Sequence, residues 1–435
     1  MTGTLAQIMV DFAGDGAGSG ELSWGQAENW HRMVQERIWA PVGGVVRLPP
    51  GTMTIDDAAE ALRYLMSRHQ SLRTRIRLDD DGHPVQVVFG AGEIALTVID
   101  TADDADPDAV AESVAQEYRD TPMDFTSEWP LRMAVVRHDG ALTHTVTLVS
   151  HLATDAAGIA VMTGEIAART SAPVDGLAPL AQAAWQHSPS GRRHNDAALR
   201  YWEGILRTIE PHRFDPPAEA RNPRYWRGEL NSPALLPAVN SIAKASGLGP
   251  STIFLALFAV ALTNTTGINP VVVRPIVGNR FRPGLAGVVC TVAQAGLCVL
   301  DVAGVPFDEA LQRTRRAVIN AFKFAYFDHV RMVALRERVE EERGTVVDTR
   351  CFFNDRHGVD PAGPLFDAGN AAPLGEFRWV RGQDAPPLEQ LLVEIDDIPD
   401  AIQVTVKLDS RSISLTDAES FVRGMEATAI AAVRG

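Results

Sequence analysis

The sequence predicts an α+β protein built as two halves, each mixing sheet and helix. Three observations carry that reading. Stretches with the two-residue alternation of strands and stretches with helical spacing follow one another along the whole chain. A composition break over Thr170–Asn195, where Pro173, Pro179, Pro189, Gly176 and Gly191 are scattered, separates two such series. The length of 435 residues fits two or three domains at about 150 residues each. The domains expected from these signals are residues 1–175, a linker over 176–195, and residues 196–435.

In the first half, Gly14-Asp-Gly-Ala-Gly-Ser-Gly20 is a flexible loop by composition. Its glycine spacing is not that of a dinucleotide fingerprint, and no convincing strand pattern precedes it. Ser23 caps a helix, with Gln26 at the reciprocal capping position and Trp30 and Met33 on its apolar stripe. Thr54 to Met66 has helical spacing through Ala58, Leu62 and Leu65, with Asp56 and Asp57 in the first turn. Arg68 to Ile76 runs into strand alternation that continues at Val85, Val87 and Val88, and Asp106 to Tyr118 reads as a helix. Leu131–Arg137 and Leu142–Ser150 are two strands joined by an Asp139-Gly140 turn, followed by His151, a short loop and a helix from Ala156 to about Arg169.

The second half repeats the alternation. Helices are expected near Asp196–Ile209, Leu236–Ser246 and Thr252–Thr263, then a strand over Pro270–Val277 and a strand-rich run over Val288–Val302. Phe307–Phe324 is helical and Thr345–Phe353 a strand. Gln390–Ile395 and Ala401–Leu408 form a hairpin around Ile398-Pro-Asp400, and Thr416 caps a closing helix.

Composition narrows the function classes. At 46% hydrophobic and 22% charged residues, the chain buries a sizeable core and is not disordered. The longest apolar run, Ile253–Leu262, is ten residues and suits a buried helix better than a bilayer span. A net charge of −15 repels a phosphate backbone, which argues against nucleic acid as the ligand. The three cysteines, Cys290, Cys298 and Cys351, form no CxxC pair and read as buried reduced thiols. With no basic-then-apolar leader in the first residues, a soluble cytoplasmic protein is expected, with no membrane partner.

One segment carries candidate chemistry: Val146-Thr-Leu-Val-Ser-His-Leu-Ala-Thr-Asp-Ala-Ala-Gly158. A histidine at the end of a strand presents its imidazole to a cleft, where the neutral ring takes a proton from a nucleophile near pH 7. Asp155, four residues on, stands at the start of a helix. Taken alone, Asp155 is equally an N-cap and His151 an ordinary surface histidine, so the spacing leaves both readings open.

The order of motifs resembles the condensation domains of nonribosomal peptide synthetases, within the chloramphenicol-acetyltransferase-like superfamily. Leu22, Ser23, Gln26 and Trp30 match the family's opening motif, and Arg68-His-Gln-Ser-Leu-Arg-Thr74 matches its second. Ser150-His-Leu-Ala-Thr-Asp-Ala156 stands where the family has His-His-x-x-x-Asp-Gly. Tyr201-Trp202, Ile276-Val-Gly-Asn-Arg280 and Phe353-Asn354 resemble later segments. The resemblance implies two acetyltransferase-like lobes arranged as a V, with His151 as the catalytic histidine and Asp155 paired with Arg280 in support of its loop. Ser150 and Ala156 replace a histidine and a glycine, and Gly158 is the nearby residue expected to keep the loop mobile.

The implied function is a condensation-type acyltransferase joining a carrier-bound acyl or peptidyl thioester to an amine or hydroxyl, giving an amide or an ester. It would need no metal and no bound cofactor. Substrates would arrive on phosphopantetheine arms of acyl- or peptidyl-carrier proteins, a small amine or alcohol acceptor is an option, and a monomer is the family expectation. The replacements at 150 and 156 leave a second reading, an inactive module of the same fold that binds carriers or recruits tailoring enzymes. A third is an acyl-CoA-dependent acyltransferase, although the plant-type Asp-Phe-Gly-Trp-Gly motif is missing.

Overall fold

The structure is a computed structural model that describes residues 3–36, 38–214, 221–358, 364–367, 373–383 and 389–434. Two compact units divide the chain: Met1–Asp196 with Gly278–Gln294 and Tyr326–Val330, and Ala197–Val277 with Ala295–Ala325 and Arg331–Gly435.

The first unit contains β1 (Gly3–Ala13), β2 (Gly18–Glu21), α1 (Trp24–Glu36), β3 (Pro41–Arg47), α2 (Ile55–Arg68), β4 (Thr74–Leu78), β5 (Pro84–Val88), β6 (Ala91–Thr101), α3 (Pro107–Asp120), β7 (Leu131–His138), β8 (Ala141–Ser150), α4 (Ala156–Ala168) and α5 (Pro179–Gln186). Its main sheet runs β1-β6-β7-β8-β3, with β6 and β7 parallel and the other neighbours antiparallel. Alternation along the strands feeds both faces. Leu96, Val98, Met133 and Val135 pack with Leu62, Leu65 and Met66 of α2 and Met162 of α4. Ile99, Ala134, Val136 and Val146 pack with Ala111, Val114 and Ala115 of α3 on the other face. A small sheet, β2-β5-β4, completes the unit.

Local chemistry sets the element ends. Ser23 and Gln26 form the expected capping box at α1: the Ser23 amide donates to Gln26 Oε1 at 2.9 Å, and the Gln26 amide donates to Ser23 Oγ at 3.4 Å. Thr54 and Asp57 do the same at α2. Asp139 and Gly140 have φ of 50° and 78°, the left-handed pair that a two-residue hairpin turn between β7 and β8 requires.

The second unit packs the helices Leu235–Ser246, Pro250–Thr266, Phe307–Lys323 and Leu415–Arg434 on a mixed sheet. In that sheet the strands Val271–Val277, Cys351–Asp355 and Leu391–Ile398 run parallel, and Ala401–Asp409 and Tyr225–Ser232 follow antiparallel. Phe254, Phe258, Val273, Val393, Val404 and Phe421 are fully buried at its centre. Both units are therefore mixed sheets flanked by helices, the α+β class expected. Among the described residues no single helix is long and apolar enough to cross a membrane.

Several expectations fail locally. Of Thr345–Phe353 only the part from Cys351 is strand, and Ser414, not Thr416, caps the closing helix, its Oγ accepting from the Asp417 amide at 2.9 Å. Residues 176–195 carry α5 and the start of the helix Pro189–Leu206, and the division into units falls inside that helix, between Asp196 and Ala197. Pro179 and Pro189 stand at the first helical position, where a missing N–H costs nothing, so the scattered prolines mark helix starts. A strand, β1, does precede the glycine loop; its residues 5–9 are all exposed, which erases the alternation that would announce it. Finally, most of the strand-rich run Val288–Val302 is extended chain without a ladder, its short strand limited to Cys298–Leu300 and the pair Gln294–Ala295.

Candidate active site

The residues singled out around His151 lie in the first unit, since Arg280 belongs to its Gly278–Gln294 segment. His151 follows the last residue of β8 and is partly exposed. Its backbone amide donates to the Ala40 carbonyl at 3.1 Å. Its Nδ1 lies 3.1 Å from the Thr154 carbonyl. A carbonyl only accepts, so Nδ1 carries the hydrogen and Nε2 holds the lone pair, the tautomer a general base needs. Burial, with the Arg32 guanidinium nearby, holds this imidazole below the ordinary histidine range, against the opposite pull of Asp155 and the Thr154 carbonyl. The ring is therefore neutral at pH 7.

Ser150 occupies the position before it and is fully buried. Its Oγ donates to the Trp39 carbonyl at 3.2 Å and accepts from the Leu152 amide at 3.2 Å. One hydroxyl thus ties the strand end, the Trp39 segment and the histidine loop together. Ala156 is the first residue of α4, exposed, with φ outside the left-handed region. Its methyl meets no backbone strain, so glycine's freedom is not needed there.

Asp155 caps α4 through Oδ1, which accepts from the Gly158 amide at 2.9 Å. The same oxygen accepts from Arg280 Nη2 at 2.5 Å, while Oδ2 accepts from the amides of Val292 and Ala293 at 3.2 and 3.3 Å. Arg280 Nη1 donates to the Val288 carbonyl at 2.7 Å, with the Leu285 and Ala286 carbonyls at 3.3 and 3.4 Å. This pairing, expected from the resemblance, also explains why Val288–Ala293 forms no ladder: Asp155, Arg280, Ser71 and Asn279 take its backbone groups. Asn279 holds a left-handed φ of 55°, a conformation asparagine tolerates, and aims Arg280 back at α4.

Gly158 is needed for space rather than for motion. Its φ is not left-handed, and a Cβ there would lie 2.1 Å from Thr154 Oγ1.

The second motif is internal. Arg73 is 1% exposed and donates to the carbonyls of Phe89, Asp15 and Gly14 at 2.6, 2.7 and 3.2 Å, so the glycine loop wraps a buried guanidinium. Arg68 and His69 both bind Glu165 of α4, at 3.0 and 2.7 Å. Cys290, Cys298 and Cys351 are free and buried, and burial pushes each thiol up to about 12. Among the described residues no group of three or more His, Cys, Asp or Glu side chains is placed to hold a metal ion.

Sequence reasoning did not single out Trp39, Ala40, Thr154 or Arg32 at this site. Trp39, Ala40 and Thr154 reach the histidine loop through backbone carbonyls, which leave no mark in side-chain patterns; Arg32 is brought near by α1, far away along the chain.

The model of the condensation domain family matches residues 45–360, and the chain belongs to that family, whose members are in general amide- or ester-forming transferases. Cyclosporin synthetase simA of Tolypocladium inflatum is 26% identical over 325 residues, which is 70% of this chain and 2% of that protein. The chain thus spans a small part of the length of the curated relatives it matches. Among solved structures, the condensation domain that mediates chain release from the enacyloxin polyketide synthase superimposes with a TM-score of 0.73 at 18% identity, covering 94% of this chain and 82% of that one. The X-domain from teicoplanin biosynthesis gives 0.69 at 17%, covering 94% and 95%. At these identities the likeness is one of fold.

Proposed function

We infer that this chain is a condensation-type acyltransferase that uses His151 as its base. A carrier-bound acyl or peptidyl thioester meets an amine or hydroxyl nucleophile. Nε2 of His151 takes the nucleophile's proton as the new C–N or C–O bond forms at the thioester carbonyl. The C–S bond then breaks, and the proton passes to the departing sulfur, leaving a free thiol. The supporting observation is the Nδ1–Thr154 carbonyl hydrogen bond, which leaves Nε2 unprotonated in a ring that burial and Arg32 keep neutral. Proton transfer of this kind contributes about 10²–10⁴-fold, and two tethered reactants supply much of the rest through positioning. No cofactor is needed; phosphopantetheine arms of carrier proteins present the substrates, with a small amine or alcohol acceptor as an option. Asp155, Arg280, Ser150 and Gly158 support the loop.

The test uses an octanoyl-loaded acyl carrier protein with a panel of amino acids and diols, read by intact-protein mass. Release of the octanoyl group as amide or ester, with the carrier returned to its free-thiol mass, is expected, and His151→Ala abolishes it. Undiminished turnover in His151→Ala overturns the role of His151. The second reading, a carrier- or enzyme-recruiting module, draws support from Ser150, Ala156 and the fold shared with the teicoplanin X-domain, which is solved in complex with OxyB; carrier binding without turnover in the parent decides for it. Turnover of octanoyl-CoA but not of the octanoyl carrier decides for a CoA-dependent enzyme.

A further inference from the structure

Between α1 and β3 the backbone makes an unusual corner. Ala40 has a left-handed φ of 42° although it is neither glycine nor asparagine, and it precedes Pro41. L-residues with a Cβ avoid that region, and a following proline biases the residue before it toward extended conformations, so the corner is strained on two counts. Such strain persists only where surrounding contacts over-determine it. Here they do. The Trp39 indole is 3% exposed, its Nε1 donates to the Arg119 carbonyl at 3.0 Å, and the Arg132 guanidinium lies 5.0 Å from its ring centre. Pro41 then pairs with Ser150 as the first rung of β3 on β8.

The strain delivers two consecutive carbonyls to two consecutive residues. The Trp39 carbonyl accepts from Ser150 Oγ at 3.2 Å, and the Ala40 carbonyl accepts from the His151 amide at 3.1 Å. The corner therefore hooks the backbone of His151 just past the end of β8. We propose that the Trp39–Ala40 corner is a positioning element for His151, holding its backbone so that Nδ1 reaches the Thr154 carbonyl and Nε2 keeps its lone pair toward the reacting groups. The proposal rests on the reading of His151 as the base. Ala40 touches no reacting atom; it acts through the histidine.

The decisive variants are Ala40→Gly, which adopts positive φ freely and keeps the carbonyl, and Ala40→Val, whose branched side chain drives φ negative and withdraws it. The full chain is labelled with ¹⁵N-histidine, and the His151 tautomer and titration are followed by NMR beside turnover of the octanoyl carrier. Expected for Ala40→Val are loss of the pure Nδ1–H tautomer, movement of the titration toward the ordinary histidine range, and a fall in kcat of about 10- to 100-fold with KM little changed. Ala40→Gly retains the parent tautomer and titration. If Ala40→Val fails to fold, Trp39→Phe, which removes the indole donor and keeps a smaller aromatic ring, is read the same way, with the same tautomer loss expected. An unchanged tautomer and titration in the folded variant overturns the proposal. Normal turnover in His151→Ala instead overturns the reading beneath it, and the NMR result on the corner then stands apart from that failure.

Discussion

Replacing Asp155 by asparagine is the sharpest probe of how the site is built. The carboxylate faces four N–H donors, from Gly158, Arg280, Val292 and Ala293. An amide has one accepting oxygen, so its NH₂ group must face donors in either orientation. The pair is well buried, with side-chain exposures of 5% for Asp155 and 16% for Arg280. Removing one partner of a buried pair costs about 3–5 kcal/mol, because the other charge is stranded. In a unit of about 200 residues each kcal/mol moves Tm by about 2–4 °C, so Asp155→Asn lowers Tm by roughly 6–20 °C. Asp155→Ala also loses the cap of α4, for about 1 kcal/mol more. Arg280→Met removes the stranded charge, so the double variant Asp155→Asn/Arg280→Met is less destabilised than the sum of the singles by about 0.5–3 kcal/mol. Differential scanning calorimetry on the five proteins (the parent, Asp155→Asn, Asp155→Ala, Arg280→Met and the double variant) reads all of this. A melting temperature for Asp155→Asn within about 2 °C of the parent, together with additive singles, refutes the argument.

Further outcomes follow from the same geometry. Gly158→Ala gains about 1 kcal/mol of helix propensity but drives a methyl into the buried Thr154 hydroxyl, a net loss of about 1–3 kcal/mol by calorimetry that Thr154→Ala relieves; equal melting of the parent and Gly158→Ala contradicts the contact. With His151 in its proposed role, the lowered pKa sets the direction of the pH dependence: the base is lost as pH falls, and the midpoint of the acid limb of turnover lies below the ordinary histidine value of about 6.5. Arg32→Gln removes a charge that opposes protonation, so its acid limb moves to higher pH, and an unmoved limb rules out that influence. The sign is the same for folding: the unfolded chain binds the proton first as pH drops, so His151 makes the fold less stable below about 6.5.

Features whose physics is local or repetitive are legible in the order of the residues. Alternation at Leu131–Ser150, the Asp139-Gly140 turn, the Ser23–Gln26 capping box and the apolar face of α2 each depend on residues a few positions apart, so the α+β class and the place of His151 at the end of a strand could be read directly, while its role came from the order of motifs. Tertiary structure alone decided the rest. The run Val288–Ala293 has the composition of a strand, yet its amides and carbonyls go to side chains distant in sequence, and nothing in its own residues records them. Gly158 looked like a residue chosen for mobility and proved to be one chosen for lack of volume, which only Thr154 beside it reveals. The tautomer of His151 depends on a backbone carbonyl, and its depressed pKa on burial and on Arg32, brought near by α1. Hydrogen bonds to backbone atoms and charges brought close by folding carry no signature in the order of side chains, so the sequence named the histidine while the fold gave it its proton.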